Sequence, residues 1–527
     1  MGAARHILRR LAILGAALLQ GACASLPPPV PGPRTQALTD VADTALARTV
    51  AAAANGQAPA LSGFRLLPEA AFAFDARISL ARHAEKSLDV QYYLINNDDV
   101  GMLLLRELRD AAARGVRVRL LVDDLYAGGE DELFGTLAAH PNVEVRLFNP
   151  LPSRATSLMA RLALSLHEFG RINHRMHNKL LVADNSMAVS GGRNIANEYF
   201  MRNTAANFID MDVLSCGPVV REMSAAFDRY WNSEQVHSIE SIAPLSLPRD
   251  AAQHRFDELV SQAAPDVPIR PRDVLDHPPL GEQLATGRLG LRWAAAHLLA
   301  DDPAKITRTA EAAYKGSVTE GALGVINGAH AGVQIISPYF IPGQQGLAMM
   351  KTAIARGGRI SIVTNSLGAT DEPLAYAGYE RYRADMLKIG VEIAEIAPEL
   401  TGRSGRFGEF GKSISRLHAK VAVIDRRRLF VGSMNLDHRS AAVNTEMGLV
   451  IDSAEVVGDF ERLVGPDRKS RVRLGYLLRL GPDGQRVHWV ETDEQGGDVV
   501  HQDQPGQFFW LRLKNWLLLP IVGEELL

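Results

Sequence analysis

Apolar residues along this chain follow a strand-like pattern, then a helix-like pattern, then a strand-like pattern again. This sequence of patterns occurs twice. Residues 87–124 open with a run rich in β-branched and aromatic residues, continue with Leu, Met and Ala at helical spacing, and end in a second β-rich run. Residues 332–366 repeat that order. A strand, a helix and a second strand in sequence predict a parallel pair joined by a right-handed crossover. The chain is therefore predicted to be α/β, built in duplicate.

The repeat also predicts how the chain is divided. With 527 residues it can form two or more units with their own cores. We expect a first domain at 61–235 and a second at 326–527, the latter including a carboxy-terminal tail. Residues 236–325 are richer in Pro and Asp and less periodic, which favours a connector with an insertion. Within them, GLRWAAAHLLADD at 290–302 predicts one helical stretch.

The amino terminus resembles an export signal. Arginines precede the short apolar run 11–19, and small residues follow it, so we expect a signal within 1–24. Cleavage after Ala24, lipidation of Cys23 and an uncleaved anchor all remain open, and each places the body outside the cytoplasm. Residues 25–60 then predict a Pro-rich tether and a helix that hold the body near a membrane. The expected location is the periplasmic face of a bacterial membrane.

Charge and cysteine content narrow the function classes. The formal net charge is −3, so no overall positive field attracts a polyanion, and nucleic acid is not an expected partner. The only cysteines are Cys23 and Cys216, and the first lies in the predicted leader. A disulfide framework is thereby excluded, and the fold must depend on its core.

A histidine motif of the form H-x-K-x4-D occurs once in each repeat. RMHNKLLVADNSMAVSGGRN at 175–194 and RLHAKVAVIDRRRLFVGSMN at 416–435 superpose without a gap. One copy alone would be weak evidence. Two copies followed by the same G-x-x-N are strong evidence for a shared chemistry. The matching positions are His177, Lys179, Asp184, Gly191 and Asn194 in the first copy, and His418, Lys420, Asp425, Gly432 and Asn435 in the second.

The spacing predicts an anion site. Positions i and i+2 of a strand share a face, which puts each histidine beside its lysine. A turn after the strand then returns the chain, so that the backbone N–H groups around Gly192 and Ser433 could approach an anion. The side chains of Asn194 and Asn435 add further polar groups. Together these groups predict phosphate binding.

Imidazole and ammonium in one site point to nucleophilic catalysis at phosphorus, in which one histidine attacks and the other protonates the leaving alkoxide. A zinc site fails because each copy offers one histidine and a repelling lysine. A serine hydrolase fails because no G-x-S-x-G is present. No metal or cofactor is then required.

Carboxylates should orient the imidazoles, as in catalytic triads. Aligning FIDMDVLSCG with NTEMGLVIDS places Asp210 opposite Glu446, and we predict these two, with Asp212 as a nearby alternative. The motif carboxylates Asp184 and Asp425 complete the set of catalytic-motif candidates. Their expected task is structural, at strand ends, fixing a turn or pairing with Arg or Lys.

HNKLLVAD with GGRN, and HAKVAVID with GSMN, are similar to the paired HKD motifs of the phospholipase D superfamily. QYYL, RGVRVRLLVDD, GGRNIANEYF and GSMNLDHRSAAVNTEMGLVID extend the likeness over most of the chain, and it resembles the C-type group of bacterial cardiolipin synthases. The resemblance implies two α/β/α domains related by a pseudo-twofold axis. It also implies ping-pong transfer through a phosphohistidine, with His177 as nucleophile and His418 as acid and base. Ala196-Asn197 and His438 depart from the group's usual Gly-Asp and Pro, which puts acceptor choice in question.

Three segments could give access to lipid. Residues 151–175 mix arginines with apolar residues and could lie on anionic head groups, with core packing or a solvated face as alternatives. The Gly-rich basic segment 402–416 could be a lid or a plain surface loop. The tail FFWLRLKNWLLLP could dock in a membrane interface through Trp510 and Trp516, or pack on the body. The basic and apolar residues of the first segment are Arg154, Arg161, Arg171, Arg175, Leu158, Met159 and Leu162.

Three functions are compatible with these observations. The resemblance implies a cardiolipin synthase-like transferase that uses phosphatidylglycerol, alone or with phosphatidylethanolamine. A hydrolase of phospholipid or nucleic acid would use the same motifs, because water can replace the alcohol. A noncatalytic membrane-surface module is the third, and the completeness of both motifs argues against it.

Overall fold

The computed structural model describes residue 26 and residues 33–263, 269–398, 413–464, 475–492 and 497–506. The expected signal within 1–24, Cys23, most of the expected lid and the tail with Trp510 and Trp516 lie outside the described residues. No helix within the described ranges combines the length and the apolar character that crossing a bilayer requires.

Strands make up the centre of both repeats. In chain order they are β1 Ser62–Leu67, β2 Ser87–Tyr92, β3 Arg117–Asp123, β4 Val143–Phe148, β5 Lys179–Ala183, β6 Met187–Gly191, β7 Ala206–Ile209, β8 Asp212–Cys216, β9 Val236–Ser238, β10 Arg292–Ala300, β11 Gly332–Ile336, β12 Arg359–Asn365, β13 Glu392–Ile396, β14 Ile414–Leu417, β15 Lys420–Ile424, β16 Arg428–Gly432, β17 Met447–Asp452, β18 Gly475–Leu480, β19 Val487–Thr492 and β20 Asp498–His501.

Helices connect the strands and cover the sheet. They are α1 Ala45–Ala53, α2 Ala70–His83, α3 Asp99–Ala113, α4 Asp131–Ala138, α5 Leu158–Leu164, α6 Phe169–Ile172, α7 Pro218–Trp231, α8 Ile239–Ile242, α9 Arg249–Ser261, α10 Leu280–Thr286, α11 Ala310–Tyr314, α12 Val318–Asn327, α13 Gly343–Ala355, α14 Pro373–Lys388 and α15 Ala454–Val464. Short 3-10 turns occupy Leu166–Glu168, Asn197–Phe200 and Pro303–Thr307, and a π-helical turn occupies Arg439–Val443.

One continuous mixed sheet runs through both repeats and confirms the predicted α/β class. Its order in the described residues is β9-β4-β3-β2-β5-β6-β8-β1-β10-β17-β16-β15-β11-β12-β13-β18-β19-β20. Strands β2, β3 and β4 are parallel, and so are β11, β12 and β13. Each motif strand, β5 or β15, lies antiparallel beside the first strand of its parallel set. The duplicated sequence unit thus becomes a duplicated half-sheet.

The register places both motifs at the carboxyl ends of the parallel strands. Lys179, the first residue of β5, pairs with Tyr92, the last residue of β2. In the second repeat, Val421 pairs with Ile336, the last residue of β11, so Lys420 lies just beyond that strand. Open α/β sheets generally bind ligands at this edge.

Tight hairpins follow the motif strands, and the motif carboxylates hold them in place. Asp184 has φ 48° and Asp425 has φ 53°, and the residue after each also has a positive φ, as the two central residues of a type I′ turn require. Asp184 accepts the backbone N–H groups of residues 85–87 at 2.8–2.9 Å. Asp425 accepts those of residues 330–332 at 2.7–3.1 Å. The expectation that both carboxylates fix strand ends is confirmed, and their contacts lie away from the imidazoles.

The predicted helix at 290–302 is wrong, because this segment forms strand β10. Ala294 pairs with Ser62 of β1 on one side, and Leu298 pairs with Leu449 of β17 on the other. Runs of Ala favour helix in isolation, but pairing on both edges and burial of Ala294 against the shared core outweigh that preference. Residues taken as a connector therefore supply the strand that joins the two half-sheets.

The apolar core also crosses between the repeats. Phe64 and Val213 of the first repeat belong to the same buried cluster as Leu449, Ile451 and Phe460 of the second. Such a shared core makes the two repeats one folding unit.

The segment before α1 packs on the body from residue 33 onward. The Thr35 hydroxyl accepts the indole N–H of Trp231 at 2.9 Å, and the Ala37 N–H donates to Asp228 at 2.8 Å. The Pro-rich tether expected within 25–60 therefore does not hold for residues 33–40, whose backbone groups bond to side chains of the body.

All four arginines of 151–175 pair within the protein, Arg171 with Glu168 at 2.5 Å. Arg154 and Arg161 both contact Asp124, at 2.8 and 2.6 Å, and Arg175 contacts Asp123 at 2.8 Å. Arg161 and Arg175 are fully buried. These three guanidiniums hold loops to the ends of the parallel strands and are not free for head groups.

Candidate active site

The two motif histidines lie where the repeats cross. The N–H of His177 donates to the carbonyl of Thr445, and the N–H of His418 donates to the carbonyl of Ile209, both at 2.8 Å. Strands β14 and β7 pair in parallel just before the second of these bonds. The backbone of each repeat therefore positions the imidazole of the other.

The orienting carboxylates are exchanged in the same way. His177 Nδ1 lies 2.9 Å from Glu446 Oε2, and His418 Nδ1 lies 2.6 Å from Asp210 Oδ2. Both carboxylates are buried, and an ionised carboxylate only accepts, so each Nδ1 carries the proton and each Nε2 keeps its lone pair. The sequence analysis selected Asp210 and Glu446. It did not predict that each serves the histidine of the opposite repeat.

Asp212, the alternative to Asp210, has another task. Its Oδ2 pairs with Arg77 at 2.9 Å and with Arg193 at 3.2 Å, and all three side chains are fully buried. The ion pairs tie the end of the first motif hairpin to helix α2.

Both motif lysines are buried beside their histidines. Lys179 Nζ donates to the carbonyl of His177 at 2.7 Å, and Lys420 Nζ donates to the carbonyl of His418. Burial lowers the pKa of Lys420 to about 8 and that of Lys179 well below its ordinary value. Each lysine is also close enough to feel the charges of both Asp210 and Glu446, which places both motifs in one electrostatic site. An entering phosphate would stabilise the two ammonium groups.

Burial lowers the pKa of both imidazoles; at His418 the charge of Lys420 adds to the shift and Asp210 opposes it. Burial lowers the pKa of His177 to about 4, against the opposing charge of Glu446, so this ring is neutral at neutral pH. Burial alone would raise the pKa of Asp210, but the charge and hydrogen bond of His418 outweigh it and lower the value to about 2. Asp210 therefore stays ionised and can stabilise a protonated His418.

One repeat position distinguishes the two halves of the site. Ser433 donates its hydroxyl to Glu446 Oε2, and Ser440 donates to Oε1 at 2.9 Å. Gly192 occupies the position matching Ser433, and a Cβ there would lie 2.0 Å from Asp210 Oδ1. Two hydroxyls thus hold Glu446, whereas Asp210 packs directly against a glycine.

The expectation that the N–H groups of Gly192 and Ser433 face an anion is wrong. The Gly192 N–H donates to Met211 O at 3.1 Å, and that of Ser433 donates to Met447 O at 2.9 Å. The backbone pairing that ends each hairpin consumes both donors.

The asparagines of the repeated G-x-x-N keep unused capacity. Asn194 Nδ2 donates to the Tyr199 hydroxyl at 2.9 Å. Within the described residues, the Oδ1 atoms of Asn194 and Asn435 are buried and accept no hydrogen bond. A phosphate-binding role for the two amides stays a prediction.

Aromatic rings flank both imidazoles and were missed by the sequence analysis. Tyr93 meets His177 edge to face at 5.1 Å between ring centroids, and Tyr199 meets His418 in the same way at 5.1 Å. These rings exclude water from one side of each imidazole. The similar runs QYYL at 91–94 and SPYF at 337–340 could have indicated Tyr93. They could not have indicated Tyr199, because this residue of the first repeat contacts the histidine of the second.

Three further carboxylate or amide groups hold the site together. Asp123 accepts the Met176 N–H and Asn365 accepts the Leu417 N–H, both at 2.8 Å. They end the second parallel strand of each repeat, a matching position that a sequence comparison could have identified. Asp301, directly after β10, accepts the N–H of Glu446 at 2.8 Å. No sequence pattern pointed to Asp301.

Within the described ranges, no group of three His, Cys, Asp or Glu side chains is arranged to hold a metal ion. The arrangement offers two imidazole lone pairs, two buried lysine amines and two carboxylates. Those groups are suited to proton transfer and to attack on an anionic phosphorus centre.

Known proteins are similar to this chain in both sequence and fold. A family described as "Cardiolipin synthase, PLD-like domain" matches residues 78–231 and 323–465. The chain is 35% identical to cardiolipin synthase C of Escherichia coli (strain K12), over 88% of this chain and 96% of that protein. It is 33% identical to an uncharacterized protein of Helicobacter pylori (strain J99), over 84% of this chain and 86% of that protein. The solved phosphatidylserine synthase of Haemophilus influenzae Rd KW20 shares the fold, with a TM-score of 0.56 at 13% identity over 91% of this chain and 98% of that one.

Proposed function

Since this chain belongs to the cardiolipin synthase family of phospholipase D-like proteins, we propose that it transfers a phosphatidyl group from one phospholipid to phosphatidylglycerol. The observation that carries the proposal is the pair of complete His-Lys motifs meeting at one repeat interface, each imidazole held by a buried carboxylate. Relatives named cardiolipin synthase supply the substrate class.

In the first step, His177 Nε2 attacks the phosphorus of the donor lipid. The P–N bond forms, the bond to the head-group oxygen breaks, and His418 in its protonated form gives its proton to the departing alkoxide. His177 suits the nucleophile because its pKa of about 4 leaves its lone pair free at neutral pH. We assign the acid to His418 because Asp210 hydrogen-bonds it and opposes the lowering of its pKa by burial and by Lys420, which stabilises the protonated form that the step needs.

In the second step, His418 is neutral and takes the proton from the acceptor hydroxyl. The acceptor oxygen attacks phosphorus, the P–N bond breaks, and His177 returns to its starting state. Lys179 and Lys420 donate to the nonbridging oxygens through Nζ in both steps, and Asn194 and Asn435 donate through their Nδ2 N–H groups. Well-placed donors of this kind each contribute about 3 kcal/mol to stabilising a transition state.

We also propose that the protein is exported and works against a membrane surface. The leader pattern in 1–24 motivates the export. Support for the surface comes from three exposed apolar residues, Met159, Leu166 and Phe169, whose exposed fractions are 78%, 60% and 49%. Helix α5, the 3-10 turn after it and helix α6 carry these residues on the segment that follows the first parallel set. A charged substitution, Met159→Glu with Phe169→Glu, should weaken cosedimentation with phosphatidylglycerol vesicles, and unchanged binding would contradict the assignment.

Mass spectrometry of product lipids tests the transferase. Purified protein would be incubated with phosphatidylglycerol alone, and with added phosphatidylethanolamine. Cardiolipin together with released glycerol or ethanolamine is expected. His177→Ala and His418→Ala should abolish it, whereas the exposed His254→Ala on α9 should not. Phosphatidate without cardiolipin would replace the transferase with a hydrolase, and the absence of both lipids would contradict either activity.

The order of the two histidines has its own test. Rapid acid-free quenching followed by peptide mass spectrometry should find the phosphatidyl adduct on His177. An adduct on His418 alone would reverse the two roles.

A further inference from the structure

A cavity of about 750 Å³ lies in the second repeat, between the sheet and the helices α12 and α13. Its size falls in the range of pockets that hold a substantial ligand, roughly 300–1,000 Å³. Its walls are mainly apolar and include Leu323, Ile326, Val333, Ile335, Phe340 and Met349.

The cavity is elongated along strand β11 and ends beside the second motif. Gly332 at the beginning of β11 lines one end, and Phe340 and Leu436 line the other, where they form a β-bridge. Leu436 directly follows Asn435, the predicted phosphate contact. At about 3.3 Å per residue, β11 alone makes the cavity roughly 13 Å long. A molecule lying in it would extend away from the active site along the sheet.

The first repeat fills the matching layer with protein. Helix α3 crosses from the first to the second parallel strand there and buries nine residues, among them Leu103, Leu104 and Leu108. Helix α13 occupies the same place in the second repeat, but Met350 is its only buried residue. Leu347, Ala353 and Ile354 of α13 are only partly buried. The second repeat therefore keeps the apolar residues of a packed helix while leaving space beneath it.

The charges around the cavity exclude a head group as its occupant. The lining contains the basic Arg359 at one end, at the beginning of β12, and the acidic Asp437 with the imidazole of His438 at the other end, beside the second motif. Asp437 is buried and accepts the Ser440 N–H at 2.8 Å. The walls between the two ends carry no ammonium or guanidinium group to neutralise a phosphate. What fits is an uncharged, flexible, elongated apolar chain.

We propose that this cavity binds one acyl chain of the phospholipid whose phosphate lies between His177 and His418. This inference rests on the proposed function, because it takes the substrate to be a phospholipid. It adds that part of one acyl chain leaves the membrane surface for the cavity, so that the activity depends on the length of the acyl chain.

A pair of tryptophan substitutions on α13 tests the proposal. Ala353→Trp fills the cavity, whereas Ala355→Trp, two residues further along, stands on the exposed side of the helix and outside the cavity. Total head-group release would be measured in nonionic micelles with dioleoyl and with dihexanoyl phosphatidylglycerol. For Ala353→Trp we expect kcat/KM for the long-chain lipid to fall at least tenfold and that for the short-chain lipid to stay within twofold. Ala355→Trp should change neither, and Ala353→Leu should give an intermediate shift at an unchanged melting temperature.

A binding measurement separates failure of this inference from failure of the function. A fatty acid bearing an environment-sensitive fluorophore should bind the wild type and Ala355→Trp, with at least tenfold weaker binding to Ala353→Trp. Binding without turnover of any phospholipid would support the acyl-chain site and contradict the proposed function. Turnover with equal losses for both chain lengths would overturn the acyl-chain site and leave the function standing. Probe binding that appears only after removal of residues 507–527 would overturn it too, because the chain's own end would then be the occupant.

Discussion

Asp210 Oδ2 lies 2.6 Å from His418 Nδ1, although the two residues are 208 positions apart and belong to different repeats. Glu446 and His177 repeat the relationship in the opposite direction at 2.9 Å, across 269 positions. Each imidazole therefore depends on both halves of the chain, on its own strand for position and on the other repeat for its tautomer.

Replacing the Asp210 carboxylate should disable His418 selectively. In Asp210→Asn, an amide can donate to Nδ1 and reverse the tautomer, so kcat should fall by about two to four orders of magnitude. Nitrogen NMR of the imidazoles should show a changed tautomer for His418 and an unchanged one for His177. The exposed Asp250→Asn on α9 serves as the matched control. A change confined to His177 would contradict the exchanged pairing.

Gly192 should tolerate no side chain. In Gly192→Ala the new Cβ would lie 2.0 Å from Asp210 Oδ1, so the carboxylate must leave His418. We expect kcat to fall at least a hundredfold while the protein stays folded. Gly458→Ala on α15 meets open space and should leave kcat unchanged. Circular dichroism and kinetics together check this, and an active Gly192→Ala would show that Asp210 is not required where it lies.

The rate should depend on pH through Lys420. A lysine whose pKa is lowered to about 8 loses its charge as the pH rises through that value, and with it the attraction for phosphate. We therefore expect a step of decline in kcat/KM near pH 8, which follows an earlier decline as the proposed acid His418 loses its proton, because burial lowers the pKa of His418 as well. On the acid side kcat/KM should fall as His177 takes up a proton near pH 4.

Lys420→Arg separates the step near pH 8 from the decline that His418 causes. Its guanidinium stays charged, so the step near pH 8 should disappear while the decline from His418 remains, at a lower overall rate because the fork of the guanidinium fits differently. The exposed Lys388→Arg should leave the profile unchanged. A step near pH 8 that persists in Lys420→Arg would assign that step to another group.

The motif aspartates should affect stability more than catalysis. Asp184→Ala would leave three backbone N–H groups without their acceptor at a fully buried position, at a cost of about 3 kcal/mol in the free energy of unfolding. Asp425→Ala lies at a more exposed turn, where water replaces the carboxylate, and should cost about 1 kcal/mol. Denaturant titration measures both. A large loss of kcat in the folded Asp425→Ala protein would give that residue a catalytic role after all.

Much of the site could be predicted because each motif residue occurs at the same offset in both repeats. The two histidines, the two lysines and the hairpin aspartates recur at fixed offsets, and the same alignment identified Asp210 and Glu446. Strand spacing then placed each histidine beside its lysine. Alignment of the repeats compares equivalent positions, however, and the exchange joins positions that are not equivalent. It depends on how the two half-sheets meet, which no local pattern encodes.

The remaining errors have physical causes of the same kind. The Ala-rich β10 resembles a helix until strands pair on both of its edges. Arg161 resembles a surface charge until Asp124, 37 positions away, is found buried beside it. Asp301 carries no motif and holds Glu446 only because β10 ends next to it. In each case a tertiary contact decides what local sequence leaves open.

The glycine at 192 and the serine at 433 show what fusion of the two copies makes possible. Two identical chains related by a true twofold axis would carry the same residue at both places and would present the same face to either end of a diester. A single chain is free of that constraint. It can make one side the attacking side and the other the proton carrier, and it can open a space beside one motif while closing the layer beside the other. The unequal roles of the two motifs in the reaction are thus possible because both repeats belong to one chain.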